Sequence, residues 1–137
     1  MNIINLKNKN IINLPESFKD NRGFIQPLCD EIIKSVSLIK TTAKSWRANH
    51  YHKTDWHIIY VVNGSFDYFF RKTGSNEQIK KLQISQNQLL FTDKLIDHAM
   101  YYNVDTDIIV MSKNPRDQKT YEEDTVRINF MNDKNKF

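Results

Sequence analysis

Three of the four histidines in this chain fall within eight residues, "HYHKTDWH", as His50, His52 and His57; the fourth is His98. Imidazole is the commonest protein ligand for divalent transition metals, and the side chain that most readily takes and returns a proton near neutral pH. In an extended chain residues i and i+2 share a face, so His50 and His52 point the same way. The short stretch "KTDW" brings His57 beside them at the head of the next strand, and His98 opens a further strand after "DKLID". A sheet closed on itself would aim all four rings at one point. Four imidazole nitrogens suit zinc, nickel, manganese, iron or copper, with geometry and availability choosing among them. A second reading needs no metal and makes His50 and His52 acid–base groups. Taken singly, a histidine is more often a surface or hydrogen-bonded residue than a ligand. Four in register favour a metal site.

Aromatic and basic residues surround the motif. Trp46, Trp56, Tyr60, Tyr68, Tyr101 and Tyr102 are mostly barrel core on the plain reading. The functional reading makes Tyr60 and Tyr68 a wall for a sugar or base, and Tyr102, which shares parity with His98, a proton donor. Arg47 has the opposite strand parity to His50, so it needs a bulge to reach the same cavity. A guanidinium there would clamp a diphosphate; otherwise it is a surface ion-pair partner. Arg71 and Lys53 are weaker phosphate candidates. Arg22-Gly23 reads as a structural turn and Cys29 as buried and inert.

The elements that must position these groups read as strands. "SVSLIKTTA" (35–43) alternates and is rich in β-branched residues. "HIIYVVNGSFDYFFRK" (57–72) is two strands around Asn-Gly, a tight-turn signal because both residues tolerate positive φ. "IKKLQI" (79–84), "LLFT" (89–92), "HAMYYN" and "TDIIVMS" follow, with a polar loop at 72–78. Only 118–123 suggests a short helical turn. Strands this short, with turns every eight to twelve residues, predict an all-β sandwich or small barrel.

With 137 residues the chain fits one domain. The expected division is an arm over 1–17, barrel and closing segment over 18–130, and a frayed tail over 131–137. The formal charge of +4 is spread along the chain with acidic residues interleaved, which argues against nucleic acid and leaves a mild preference for anionic small molecules. No apolar run approaches the roughly 18 residues of a spanning helix, and the N-terminus lacks a signal-peptide pattern. The expectation is a cytoplasmic protein with no membrane partner.

The histidine spacing resembles that of the cupin superfamily, small double-stranded β-helix (jelly-roll) barrels. Their first motif is Gly, five residues, His-x-His, three or four residues, Glu, six residues, Gly. Here His50, His52, His57 and Gly64 keep that register, with His57 in the glutamate position and Lys44 where the opening glycine would stand. The second motif is Pro-x-Gly-x-x-His-x-x-x-Asn. Asp93, Leu95 and His98 occupy its first three marked positions, and the asparagine is displaced by one to Asn103. "WRANHYH" is similar to the Arg-Gly-x-His-x-His segment of sugar-nucleotide cupins, with Ala48 in place of the glycine. "DNRGFIQPL" is similar to their Asp-x-Arg-Gly opening, and "NPRDQKTYEED" to the closing segment of capsule-sugar cupin domains.

This resemblance implies an isomerase or epimerase acting on a nucleotide-linked keto-deoxy sugar in surface polysaccharide synthesis, with Arg47 on the diphosphate and a homodimer as the assembly. It implies His50, His52, His57 and His98 as ligands of a divalent transition metal. The ketoisomerases and 3,5-epimerases resembled here use histidine without a metal, so His57 is the informative position. A metal-dependent oxygenase and a non-catalytic sugar-binding cupin with a structural metal are the alternatives.

Overall fold

The computed structural model describes residues 10–12 and 14–137; most of the N-terminal arm read from the sequence lies outside them. In chain order the elements are β1 (Ile11–Ile12), β2 (Phe18–Asp20), β3 (Gly23–Ile25), β4 (Ser35–Thr41), β5 (Ser45–His52), β6 (His57–Asn63), β7 (Ser65–Lys72), β8 (Lys80–Ser85), β9 (Leu89–Thr92), β10 (Ile96–Tyr102), β11 (Thr106–Ser112), α1 (Gln118–Asp124) and β12 (Thr125–Arg127). Two five-stranded antiparallel sheets, ordered β1-β9-β6-β11-β4 and β12-β5-β10-β7-β8, face each other as a jelly roll. The all-β reading holds, and each strand read from the sequence is present. The hairpin β2–β3 turns at Asn21-Arg22, just before Gly23, and Asp20 accepts from the Arg22 backbone and guanidinium. Among the described residues no helix is long and apolar enough to cross a membrane.

Alternation sorts the side chains. Ile59 and Val61 of β6, Phe66, Tyr68 and Phe70 of β7, Met100 and Tyr102 of β10, and Ile108 and Val110 of β11 fill the space between the sheets. Residues of opposite parity are also apolar, because both outer faces are covered. Leu14, Leu28, Cys29 and Ile33 pack over Ile58, Leu89 and Phe91, and the C-terminal Ile128, Phe130 and Met131 pack over Phe69, Ala99 and Tyr101. The tail therefore departs from the frayed 131–137 expected. Met131 is buried, Trp46 Nε1 donates to Asp133, and Phe137 meets the Phe69 ring edge-on at 5.3 Å. The reason is the aromatic outer face of the second sheet, which its polar sequence "MNDKNKF" does not reveal.

The turns carry the motif departures. Lys44 (φ 63°), Ala48 (φ 69°) and Leu95 (φ 57°) are all left-handed, and these are the three positions where the resembled motifs have glycine and this chain does not. The backbone shape is kept while a Cβ is carried at each position, a conformation that costs about 1–2 kcal/mol per residue. Lys44→Gly, Ala48→Gly and Leu95→Gly are each expected to stabilise the chain by about 0.5–1 kcal/mol, the strain relief less the extra unfolded-state entropy of glycine. Urea midpoints would check this, and a lower midpoint for all three would refute it.

Candidate metal and acid–base centre

Strand register brings the rings together. His50 and His98 are paired across β5 and β10, and Thr125 of β12 is paired with His52 on the other side of β5. His57 heads β6 in the opposite sheet. Ring centroids lie 4.7 Å apart for His50–His52, 4.8 Å for His50–His98 and 4.6 Å for His52–His57. His52 and His98 are each 1% exposed.

Hydrogen bonds select the tautomers. His98 Nδ1 lies 2.9 Å from the Ile96 carbonyl, which only accepts, so Nδ1 carries the proton and Nε2 keeps its lone pair. His52 Nδ1 lies 3.0 Å from Asp124 Oδ2 and donates to it. The lone pair of His52 Nε2 is then buried with no hydrogen-bond partner. Asp124 is held in turn: its Oδ1 accepts from the Thr54 backbone and hydroxyl, each at 2.7 Å, and from Asp55 N at 3.3 Å. Burial raises the Asp124 carboxyl, but these bonds and the His52 ring outweigh it, so it stays below the usual carboxylate range.

Burial also holds the imidazoles neutral. Desolvation, reinforced by the neighbouring rings, lowers His50 to about 2. Desolvation first, then His57, lowers His52 to about 4 despite the two carboxylates beside it. Desolvation lowers His98 to about 3. Neutral rings out of water, with free lone pairs fixed by carbonyl and carboxylate partners, are what a transition metal requires. One ligand atom each from His50, His52 and His98 lies within 4.8 Å of the others, so the three can hold a metal ion.

The four-nitrogen set read from the sequence appears instead as two sets of three. His57 groups with His52 and Asp55, because the buried Asp55 carboxylate takes His57 Nε2 at 3.0 Å.

The histidines open onto a cavity of about 180 Å³ between the sheets, lined by Arg47, His50, His57, His98 and Tyr102 over Ile59, Met100 and Ile108. Arg47 reaches it through a bulge. Ala99 pairs with Ala48 and His98 with His50, which leaves Asn49 as the extra residue, with φ 55°. The inserted residue reverses parity between Arg47 and His50, so both face inward. Asn49 is fixed from outside, its carbonyl accepting from Ile128 N and its side chain from Met131 N, both at 2.9 Å. The Arg47 guanidinium donates to Thr41 Oγ1 at 2.7 Å and to the Lys40 carbonyl at 3.3 Å. Burial pushes the Tyr102 phenol up to about 12, so it is a neutral donor.

Three proposed substrate residues do not line the cavity. Tyr60 lies between the inward Ile59 and Val61 and so points outward, with its hydroxyl on Asn87 at 2.8 Å. Arg71 follows the inward Phe70, and its guanidinium lies over the outer Phe130 ring at 5.4 Å. Tyr68 is inward but wholly buried, its hydroxyl 2.8 Å from Thr92. Four site residues escaped the sequence reading: Asp55, Asp124, Arg116 and Tyr121. Arg116 and Tyr121 line the cavity mouth, the guanidinium 3.7 Å from the ring centroid. The available signals were the shared parity of Asp55 and His57, and the i, i+3 spacing of Tyr121 and Asp124 on a helical turn.

No family model matches the sequence, and no curated protein sequence matches it significantly. Solved structures do match in three dimensions. A sugar 3,4-ketoisomerase from Thermoanaerobacterium thermosaccharolyticum, crystallised with TDP, superposes with a TM-score of 0.71 at 19% identity over 87% of each chain. A 3,4-ketoisomerase from Helicobacter canadensis gives 0.71 at 20% identity over 85% of this chain and 88% of that one. A dTDP-4-dehydrorhamnose 3,5-epimerase from Sulfolobus tokodaii gives 0.65 at 16% identity over 78% and 71%. The fold is that of the cupins. At these identities the likeness is one of fold, and the cupin barrel seen here sets its histidines where the two sheets meet.

Proposed function

We propose that this cupin is an isomerase or epimerase of a nucleotide-linked keto-deoxy sugar, serving surface polysaccharide synthesis in the cytoplasm. The observation that carries the reading is that one cavity is lined by His50, which burial keeps neutral, by Tyr102, whose hydroxyl donates to Met100 Sδ at 3.4 Å, and by Arg47. The fold shared with TDP-sugar ketoisomerases supports the same class.

In this reading His50 takes the proton from the carbon beside the ketone. The C–H bond breaks and its electron pair moves into an enediolate. The proton of the adjacent hydroxyl passes to the former carbonyl oxygen, and the proton held by His50 goes to the former carbonyl carbon, so the carbonyl moves by one position. Burial keeps His50 neutral, and His52, oriented by Asp124, lies beside it. The anionic substrate raises the depressed His50 pKa toward neutrality, because nearby negative charge favours imidazolium. Tyr102 donates to the developing oxyanion. The metal-bound form is a separate reading: a divalent ion held by His50, His52 and His98 would occupy the lone pair that His50 needs as a base, and would instead polarise a substrate oxygen as a Lewis acid. Arg47 binds the diphosphate. Arg47→Ala is expected to weaken TDP-sugar binding by about 1.5–3 kcal/mol; calorimetry showing unchanged affinity would remove Arg47 from the site.

A homodimer belongs to the reading. β4 is an edge strand whose outward Val36 and Leu38 are each 62% exposed, an apolar edge that a second copy would cover. The function is tested by incubating the protein with TDP-4-keto-6-deoxyglucose in D₂O and following the sugar by NMR. Deuterium entering beside the carbonyl, with appearance of the isomeric ketone, is expected. No exchange at any metal loading would overturn the reading, and iron-dependent oxygen uptake in its place would select the oxygenase.

A further inference from the structure

The buried polar groups around His52 are more than the three-histidine set uses. His52 Nε2, on a side chain 1% exposed, has no hydrogen-bond partner, and His52 is the residue common to both clusters. Asp55 is 6% exposed, so its carboxyl group is buried. One oxygen accepts from Asn114 N at 2.9 Å, and the other is satisfied only by the His57 ring. Asp124 adds a second buried carboxylate, its Oδ2 3.0 Å from Nδ1 of His52. Buried carboxylates next to imidazole rings form a setting that a dication neutralises.

Spacing separates the two carboxylates. Asp124 is saturated: three donors hold Oδ1 and the His52 ring holds Oδ2. Asp55 Oδ2 has only His57 Nε2, 3.0 Å away. Two ligand atoms each about 2.1 Å from one ion, at octahedral to tetrahedral angles, lie about 3.0–3.4 Å apart. With Nδ1 carrying the ring proton, His57 Nε2 presents a lone pair beside that oxygen.

We propose that Asp55 is a metal ligand, completing with His52 and His57 a two-histidine, one-carboxylate set that overlaps the three-histidine set at His52. His52 Nε2 is a single lone pair, since Nδ1 is spent on Asp124, so one chain holds one ion at a time and the two sets compete for it. Their chemistry differs. The all-nitrogen set suits zinc, nickel or copper, while the carboxylate set suits manganese or iron(II), which accept oxygen ligands more readily. The inference rests on the metal half of the functional reading and not on the isomerase half.

The test is metal binding by the apoprotein, followed by calorimetry and elemental analysis with zinc or manganese(II) alone. The wild type should bind one equivalent in total. Asp55→Asn, nearly isosteric and still able to accept from Asn114, should lose manganese affinity by 10-fold or more while zinc affinity changes less than 3-fold. The paired substitution His50→Gln with His98→Gln should do the reverse. Equal loss of both metals in Asp55→Asn, unchanged manganese affinity, two equivalents in the wild type, or no metal binding at all would each overturn the proposal. Circular dichroism of each apoprotein separates lost ligation from lost fold. Deuterium exchange into the sugar by a protein that binds no metal would leave the isomerase reading standing while this inference fails.

Discussion

Replacing His52 by alanine removes metal binding altogether and destabilises the metal-free protein by about 3 kcal/mol. His52 is the residue common to both ligand sets, so neither is left with three donors. The stability loss has a separate origin. His52 is 1% exposed and its Nδ1 satisfies Asp124 Oδ2, so truncation leaves a buried carboxylate oxygen without its donor and opens a void in a close-packed interior. An orphaned buried polar group costs about 1–3 kcal/mol, and more when charged. The two residues should therefore couple: His52→Ala with Asp124→Ala should be less destabilising than the sum of the single changes, by about 1–3 kcal/mol. Denaturation of the four apoproteins measures that coupling. Additive losses would mean that the contact does not organise the site, and retained one-equivalent metal binding in His52→Ala would remove His52 from both sets.

Acid unfolds the metal-free protein well before its carboxylates titrate. His50, His52 and His98 are lowered to about 2, 4 and 3 in the folded chain, whereas an unfolded histidine titrates near 6.5. Below that value the unfolded state binds more protons than the folded state, so stability falls as pH falls. The loss starts at the unfolded pKa and continues until each ring protonates in place. At pH 5 it amounts to about 2 kcal/mol for each histidine. Three such losses are comparable to the whole stability of a small domain, about 5–15 kcal/mol. Asp124, whose folded pKa is lowered, adds its own loss only below about pH 4, where the unfolded carboxyl takes a proton. Metal opposes the effect, since the bound rings stay neutral and the ion binds the folded state. Urea midpoints of the apoprotein at pH 7.5, 6 and 5 measure the slope, and a flat profile would show that the rings are not buried and neutral as described.

Much of the fold was legible in local pattern. Alternation in "HIIYVVN" and "SFDYFFRK" assigns Ile59, Val61, Phe66 and Tyr68 to one face, and this face is the barrel interior. Asn63-Gly64 places the hairpin between β6 and β7, with Gly64 at φ 87°. The tail was not legible, because the groups that hold it, Trp46, Phe69 and Tyr101, are distant in sequence and only become one surface when β5, β7 and β10 pair.

For the site the sequence by itself determined the donors. Four histidines at fixed parity, on strands that a closed sheet must bring together, limit the chemistry to ligation or proton transfer, and the i, i+2 rule alone puts His50 and His52 on one face. Tertiary structure decided how those donors are used. Asp124 reaches His52 because β12 pairs with β5 across 72 residues of chain, and that contact chooses which nitrogen stays free. Arg47 turns inward because Asn49 is an extra residue in the strand, held there by the tail. Tyr60 and Arg71 turn away through their neighbours' parity. Asp55 takes His57 out of the four-ring set. The Asp124 and Asn49 contacts join segments remote in sequence, whereas the Asp55–His57 pair and the outward turn of Tyr60 and Arg71 are local. Hydrogen-bond partners, burial and the resulting pKa are properties of what lies across the gap, and no single strand's sequence specifies its partner.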